Sequence, residues 1–414
     1  MLIWRELTKY QLLVLAVAWL GWVFDSMDAL IYNLVLTPAL RELLGKQATA
    51  AEIGWHGGVT LAVFLVGWAI GGILFGVVAD RFGRARALVI TILVYALFTG
   101  LAGTARSWEQ LMIFRFFTAL GIGGEWASGA TLVAEVLPQS MRVQAAGVLQ
   151  SAWAAGYFLA AGLYLLLAPY GWRVMFFIGI VPALVALLAF KKVHEPERWQ
   201  QERKRGPSGF LIAELFAPGR RRDTIVGSTL AFVAVFGLWG ATNWTPSLIG
   251  EMLGRNADAA TVARKVSYAV MWLNVGALAG YLAFPPLAER AGRKWAFAVM
   301  LLGAALSLPA TFLLTGSYAA TLLLIPLLGF FTNGIFTGFP VYLPELYPTR
   351  IRATGSGFCF NAGRILAASG PFLTGVLVAQ FGSFALAASS VAVVYLLGLV
   401  VLLFARETKG MPLE

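Results

Sequence analysis

Residues 76–84 read Gly-Val-Val-Ala-Asp-Arg-Phe-Gly-Arg, and residues 285–293 read Pro-Pro-Leu-Ala-Glu-Arg-Ala-Gly-Arg. The acidic residue, the arginine after it and the final Gly-Arg therefore recur 209 residues apart. A second set recurs 210 residues apart, with Glu135, Pro138, Arg142 and Gly147 matching Glu345, Pro348, Arg352 and Gly357. Self-similarity over this distance indicates two halves built from one duplicated unit.

The composition of the whole chain predicts a membrane protein. Its 414 residues are 59% hydrophobic and only 12% charged, whereas soluble domains carry about 25% charged residues. So few charges exclude a soluble enzyme, a disordered chain and a nucleic-acid-binding protein. One cysteine and two distant histidines form no cluster with metal-ligand spacing, so we expect neither a metal site nor a cofactor.

Twelve apolar runs are long enough to span a bilayer, since a spanning helix needs about 20 mostly apolar residues. They lie near 10–36, 55–79, 86–105, 108–136, 142–168, 172–190, 223–250, 264–288, 294–314, 318–346, 350–380 and 382–404. We predict an all-α membrane protein of twelve transmembrane helices in two pseudo-symmetric bundles. The N-terminal six-helix bundle covers 1–190, a linker covers 191–222 and the C-terminal six-helix bundle covers 223–414.

The distribution of basic residues predicts the orientation of these helices. If both termini are cytoplasmic, 22 Lys and Arg residues lie in cytoplasmic segments and seven in outer loops. Cytoplasmic loops of membrane proteins collect Lys and Arg. The net charge of +11 is therefore explained by topology rather than by an anionic macromolecular partner.

With these motifs, the chain resembles the major facilitator superfamily. Residues 76–84 match its G-x-x-x-D-R-x-G-R loop between the second and third helices, and the second copy departs from it at Pro285. Four further stretches resemble metabolite–proton symporters, first those for sialic acid and then those for aromatic acids and monocarboxylates. These stretches are 18–28, 121–125, 345–355 and 361–364. The resemblance implies a monomer in a bacterial inner membrane, with the proton as coupling ion.

Five charged residues lie inside predicted spans: Asp25, Asp28, Arg115, Glu125 and Arg364. A charge at the bilayer centre costs about 2.5–3.5 kcal/mol, so each indicates a function. Asp25 and Asp28 share one face of the first helix with Tyr32. Two carboxylates so close repel each other, and one of them should bind a proton readily. We predict a proton-coupling pair, with a salt bridge such as Asp25 to Arg115 as the alternative.

Arg115 and Glu125 share the fourth span but lie about 15 Å apart along it, too far to bond each other. The resemblance places both in the fourth-helix motif of the symporter subgroup, and we include both among the proton-coupling residues. A purely structural role for Arg115 stays open. Glu125 could instead pair with a basic group near the cytoplasmic mouth.

Arg364 is the predicted substrate-binding residue. Its guanidinium is always charged and offers a planar fork that fits a carboxylate. The resemblance implies anion binding by the arginine of this Gly-Arg pair in the eleventh helix. The alternative is a permanent ion pair with an intramembrane acid. We expect four polar residues to line the same site: Tyr32, Asn33, Asn243 and Asn361.

The repeated motifs lie at the predicted cytoplasmic ends of the helices, where opposite charges can close the inner mouth and separate when it opens. A plain role in capping helix ends is compatible with this one. The predicted gate residues are Asp80, Arg81, Gly83, Arg84, Glu135, Arg142, Glu289, Arg293, Glu345 and Arg352.

These features together predict a proton-coupled symporter that imports a small organic anion, a carboxylate, by alternating access. No phosphate-binding loop or nucleophile elbow occurs in a suitable context, so we expect no enzyme and no direct ATP drive. Three alternatives stay open: a symporter for a neutral solute such as a sugar or for a cationic one, a proton-driven exporter, and a membrane receptor.

Overall fold

The computed structural model describes residues 7–45, 47–182, 192–204, 211–242, 245–253, 259–314, 316–367, 377 and 380–413. These residues form helices and connecting turns, and no strand occurs among them. Among the described residues before 216, the α-helices are α1 (Lys9–Leu43), α2 (Ala50–Phe82), α3 (Arg84–Ala102), α4 (Trp108–Val136), α5 (Arg142–Leu167), α6 (Trp172–Ile178), α7 (Glu197–Lys204) and α8 (Leu211–Leu215).

Nine further helices follow in the described part of the chain. They are α9 (Arg221–Thr242), α10 (Thr245–Leu253), α11 (Ala259–Ala291), α12 (Arg293–Leu313), α13 (Tyr318–Gly334), α14 (Phe339–Leu346), α15 (Arg352–Ala367), α16 (Phe384–Ser390) and α17 (Val393–Phe404). A 3₁₀ turn at Ile335–Gly338 joins α13 to α14, so the predicted tenth span is one nearly continuous helical segment.

Nine helical segments within the described ranges are long and apolar enough to cross a membrane. The predicted fourth span is helical throughout as α4 and is 29 residues long. It is not among these nine segments, and it carries Glu109, Arg115, Glu125 and Glu135. The predicted sixth, seventh and eleventh spans include residues outside the described ranges.

The chain divides into two compact units. Unit 1 comprises Met1–Phe216, Leu343–Asn361 and Pro412–Glu414, and unit 2 comprises Ala217–Tyr342 and Ala362–Met411. The first boundary falls inside the predicted linker, whereas residues 343–361 belong to unit 1 rather than to the second half of the chain. The boundaries of the two six-helix bundles stay a prediction.

The glycine of the repeated motif has the same conformational role in both copies. Gly83 ends α2 at a φ of 118°, and Gly292 ends α11 at a φ of 99°. Residues with a side chain rarely adopt this left-handed backbone conformation, so glycine permits the sharp turn into the next helix. The predicted gate residue Gly83 therefore has a conformational role.

Glycines also bring helices into close contact within each unit. In unit 1, a Cβ atom at Gly71 would lie 2.0 Å from the backbone oxygen of Leu120, on α4. In unit 2, a Cβ atom at Gly280 would lie 2.1 Å from the backbone oxygen of Phe330, on α13. These glycines are 209 residues apart, as are the first motifs, so the duplication includes the packing of the helices.

We expect Gly123→Ala to destabilise the protein by about 1–3 kcal/mol, since overpacking a helix contact costs about this much. The added Cβ atom would lie 2.0 Å from the backbone oxygen of Trp68, which cannot rotate away. Thermal unfolding of the purified protein measures the effect. Gly162→Ala on α5 is the control, because a Cβ atom there meets nothing within 4 Å. Equal unfolding temperatures for the two variants would contradict the close packing.

Candidate functional site

Asp28 on α1 forms a buried ion pair with Arg115 on α4. Nη1 of Arg115 donates to Oδ2 of Asp28 at 2.7 Å, and the hydroxyl of Thr99 donates to Oδ1 at 2.9 Å. The side chains of Asp28 and Arg115 are at most 1% exposed. The predicted alternative, a salt bridge from Arg115 to the first helix, therefore exists, but its acid is Asp28 rather than Asp25.

Aromatic rings surround the guanidinium of Arg115. Its Cζ atom lies 4.4 Å from the ring centre of Phe64, 5.0 Å from that of Tyr32 and 5.7 Å from that of Phe176. Cation–π contacts of this kind are strongest where water is excluded. Together with Asp28, they hold a permanent positive charge inside the helix bundle.

Asp25 on α1 interacts with Glu125 on α4. The carboxyl of Glu125 occupies the space over Gly21, where a Cβ atom would lie 1.8 Å from its Oε1 atom. Asp25 follows Gly21 by one turn, and its carboxyl interacts with that of Glu125. Both residues are buried. Two ionised carboxylates at such a buried position would repel each other, which makes this pair the candidate for the predicted proton coupling.

The structure thus corrects the predicted pairing of the acids. The sequence predicted mutual repulsion between Asp25 and Asp28 and left open a basic partner for Glu125. In the structure Arg115 neutralises Asp28, and the repelling acid pair consists of Asp25 and Glu125. The reason is the register of α1 against α4, which periodicity within one helix does not reveal.

Tyr32 and Asn33, predicted to bind substrate, differ in their surroundings. Tyr32 is buried, its ring faces Arg115, and its hydroxyl donates to the backbone oxygen of Gly57 at 3.3 Å. Asn33 is exposed. Tyr32 therefore belongs to the surroundings of the Asp28–Arg115 pair.

Arg364 is buried on α15, at 8% exposure, and belongs to unit 2. Asn361, three residues earlier, is the last unit 1 residue on this helix. Its Nδ2 atom donates to the backbone oxygen of Gly357, and its Oδ1 atom is buried without a hydrogen-bond partner among the described residues. The Oδ1 atom of Asn361 can therefore accept a further hydrogen bond. Asn243 lies outside the described residues.

Four predicted gate residues form one fully buried network in unit 1. Arg84 lies 2.8 Å from Oδ1 of Asp80 and 3.2 Å from Oε1 of Glu135. The same Oε1 atom accepts from Nη1 of Arg352 at 2.7 Å. Asp80 also accepts the backbone N–H groups of Ala353 and Thr354, at the start of α15. The network therefore ties α2, α3, α4 and α15 together.

The other predicted gate residues are less tightly arranged. Nε of Arg142 donates to the backbone oxygen of Ala134, as Nε of Arg352, its repeat counterpart, does to that of Pro344. Arg293 is buried and Arg81 is exposed. Glu289 and Glu345 are half-buried, in contrast to their counterparts Asp80 and Glu135.

Two glutamates at the helix ends were missed by the sequence reasoning. The carboxylate of Glu195 accepts the backbone N–H groups of Ala85 and Arg86, at the start of α3. The carboxylate of Glu407 accepts those of Arg293 and Lys294, at the start of α12. Negative charge is favourable at a helix N-terminus. The recurrence of these glutamates, each following the last helix of its half, was the available signal.

Thr99 and Tyr95 were also missed. Thr99 binds Asp28, and Tyr95 lies one turn away on α3, with a buried hydroxyl that has no hydrogen-bond partner within the described ranges. Tyr95 interacts electrostatically with Glu125, Asp25 and Asp28. Two polar residues four apart in an apolar span were the signal for a helix face directed at these acids.

The buried acids, the duplicated motifs and the apolar helices agree with the comparisons to known proteins. The model of the Major Facilitator Superfamily matches residues 18–283, and that of the Sugar (and other) transporter family matches 298–414. The chain belongs to the major facilitator superfamily. Like other members, it is a multi-pass membrane transporter and not an enzyme, which confirms both predictions.

Two relatives and one solved structure place this major facilitator protein more closely. The cis,cis-muconate transport protein of Acinetobacter baylyi is 33% identical over 406 residues, which cover 95% of this chain and 94% of the relative. The sialic acid transporter NanX of Escherichia coli is 29% identical over 381 residues, covering 92% and 90%. A structure of the proton:xylose symporter XylE covers 98% of both chains, with a TM-score of 0.81 at 19% identity. The structural similarity to XylE confirms the predicted all-α major facilitator fold.

Proposed function

We propose that this transporter is a proton symporter that imports a small organic anion bearing a carboxylate, by alternating access. The observation that carries the proposal is the buried carboxyl pair of Asp25 and Glu125. A buried acid pair that shares a proton is suited to take up and release that proton during a transport cycle.

The neighbouring Asp28–Arg115 pair supports this assignment of the proton. Asp28 has a full counter-charge at 2.7 Å, so Arg115 already compensates its negative charge. The interaction partner of Asp25 is a second acid, Glu125, rather than a basic residue. If the proposed proton left this pair, two adjacent negative charges would remain in a water-excluded site. The proton is therefore expected to be carried by the Asp25–Glu125 pair.

The relatives and Arg364 both support the proposal that the substrate bears a carboxylate. Muconate and sialic acid, named for the two relatives, are both carboxylates at neutral pH. Arg364 is a buried guanidinium in this transporter, and the nearby Asn361 has an acceptor to offer. We propose that Arg364 binds the substrate carboxylate and that Asn361 is a polar neighbour.

We expect Arg364→Ala to weaken binding of the carboxylate at least tenfold, because a charge-assisted hydrogen bond contributes about 1.5–3 kcal/mol. Arg364→Lys should bind with intermediate affinity, because an ammonium keeps the charge but not the fork. Binding to purified protein, measured by calorimetry, checks both. Arg222→Ala, whose guanidinium binds the backbone oxygen of Phe404 near the start of α9, is the control. Wild-type affinity in Arg364→Ala would remove this residue from the site.

Transport into proteoliposomes tests the function as a whole. Muconate, sialic acid, aromatic acids and short-chain monocarboxylates are offered under imposed pH and voltage gradients, with xylose and an amine alongside them. An acid should accumulate when the outside is acidic and not when both sides have the same pH. Accumulation of the sugar or the amine, with no acid accumulated, would overturn the proposal. Export of a preloaded acid against its gradient would contradict the direction.

Symport of a neutral sugar is the second candidate. It is favoured by the match of residues 298–414 to the Sugar (and other) transporter family. In that case Arg364 would have a structural role, and xylose would accumulate in the same assay.

The orientation is also proposed, with both termini in the cytoplasm of a bacterial inner membrane. It is supported by the concentration of Lys and Arg in the segments that this orientation places inside. Labelling of single cysteines introduced into the linker and into an outer loop, in intact cells, tests it.

A further inference from the structure

A cavity of about 850 Å³ lies in unit 1, between the start of α3 and the short helix α7. Its lining residues include neither the buried acids nor Arg364. The lining includes four basic or titratable cationic side chains, one carboxylate and one indole. These residues are Arg86, His194, Arg203, Lys204, Glu195 and Trp199.

Two hydrogen bonds, one of them buried, fix the walls of this cavity. The indole Nε1 of Trp199 donates to the backbone oxygen of Asp80 at 2.8 Å, and Trp199 is only 4% exposed. Gln200 donates to the backbone oxygen of Glu195 at 2.9 Å. The first residues of α7 are thus attached to the turn between α2 and α3, and the cavity has a defined shape.

The charges around the cavity are not balanced. Arg86, Arg203 and Lys204 are exposed to it and form no ion pair among the described residues. The carboxylate of Glu195 is already bound by the N–H groups of Ala85 and Arg86. Three positive charges therefore face a cavity whose single carboxylate is engaged elsewhere.

The position of Arg203 favours a flat, multidentate anion. Its Cζ atom lies 5.2 Å from the ring centre of Trp199, in a cation–π contact. A guanidinium oriented by an aromatic ring keeps its N–H groups available, and its fork fits two oxygens of a phosphate. Lys204 and Arg86 can add charge from two other sides.

The repeat shows which part of this arrangement is special to the first half. Glu407 caps α12 as Glu195 caps α3. The position 209 residues after Arg86 is Trp295, an exposed indole. The cap is common to both halves, whereas the arginine at the wall of the cavity is replaced by an indole in the second half.

We propose that this cavity binds the phosphate group of an anionic ligand, supplied by the headgroup of a membrane phospholipid or by a soluble phosphate compound. Arg86 is the third residue of the membrane-spanning helix α3, which places the cavity at the level where phospholipid headgroups lie. Basic pockets at this level bind anionic headgroups. The site is independent of the transported substrate.

The test uses the purified full-length transporter in detergent, with native mass spectrometry to count bound lipid. Phosphatidylglycerol is compared with phosphatidylcholine, and inorganic phosphate is added as competitor. Phosphatidylglycerol should bind selectively, and Arg86→Gln/Arg203→Gln/Lys204→Gln should bind it on the order of a hundredfold more weakly, since each basic residue contributes about fivefold. Arg290→Gln/Lys294→Gln/Lys409→Gln removes the same charge near the start of α12 and is the matched control.

Selective binding that phosphate does not displace assigns the site to the lipid headgroup, and displacement by millimolar phosphate assigns it to a soluble phosphate compound; both support the site. Equal binding of the two lipids, or equal loss of binding in the two triple variants, overturns it. The single variant Lys204→Glu, at an exposed position, repeats the test with a smaller structural change. Unaltered binding in that variant would also overturn the proposal.

Discussion

The Glu125→Gln transporter is expected to exchange its substrate across the membrane but not to accumulate it in response to a pH gradient. An amide keeps the shape of the group that fills the space over Gly21 and can still hydrogen-bond to Asp25. It cannot take up or release a proton. One pH unit of gradient supports about tenfold accumulation per proton. The accumulation ratio of the variant should therefore fall from about ten to about one.

Proteoliposomes loaded with unlabelled substrate measure exchange, and empty ones with an acidic exterior measure accumulation. Asp25→Asn should behave like Glu125→Gln, because either change removes one acid from the pair. Exchange by these variants should also lose its dependence on pH. Glu109→Gln, an exposed acid on the same helix α4, is the control and should accumulate substrate normally. Normal pH-driven accumulation by Glu125→Gln would exclude Glu125 as the site of the proton.

Removal of Glu135 is expected to cause the largest loss of stability. Its carboxylate accepts from both Arg84 and Arg352, and all three side chains are fully buried. Breaking a buried ion pair by removing one partner costs about 3–5 kcal/mol, since the remaining charge is left without compensation. Glu135→Ala should therefore lower the free energy of unfolding by about this amount. Denaturant or thermal unfolding of the purified protein measures it.

The duplicated half of the chain supplies a matched control for this variant. Glu345 is the repeat counterpart of Glu135 but is half-buried, so water can solvate the charges that its removal exposes. Glu345→Ala should cost no more than about 1 kcal/mol, as exposed pairs do. Equal losses in the two variants would show that burial does not distinguish the two copies. A smaller loss in Glu135→Gln than in Glu135→Ala is expected, because an amide still accepts a hydrogen bond.

Residues that lie close together along the chain were predicted well. Asp25 and Asp28 share a helix, and the Gly-Arg motif of Gly83 and Arg84 forms the predicted turn and charge network with Asp80. The fold class followed from the composition and the repeat, because a chain with so few charges must bury its apolar surface in lipid. These features depend on local spacing and on total composition, which a single sequence contains.

Contacts between helices could not be read in the same way. The partner of Asp28 is 87 residues away and that of Glu135 is 217 residues away. Each partner is selected by the rotation and height of one helix against another, and a shift of one residue would turn a side chain by about 100°. The glutamates that cap α3 and α12 were missed for the same reason.

The sequence by itself determined that this chain is a duplicated helical membrane transporter with charges buried in its spans. Only the tertiary structure decided which of those charges neutralise each other. Arg115 compensates Asp28, and Asp25 interacts instead with Glu125. The physical reason is that periodicity only places residues on a face of one helix. Electrostatic pairing depends on distances of a few ångströms between helices that pack together although they are far apart in the sequence.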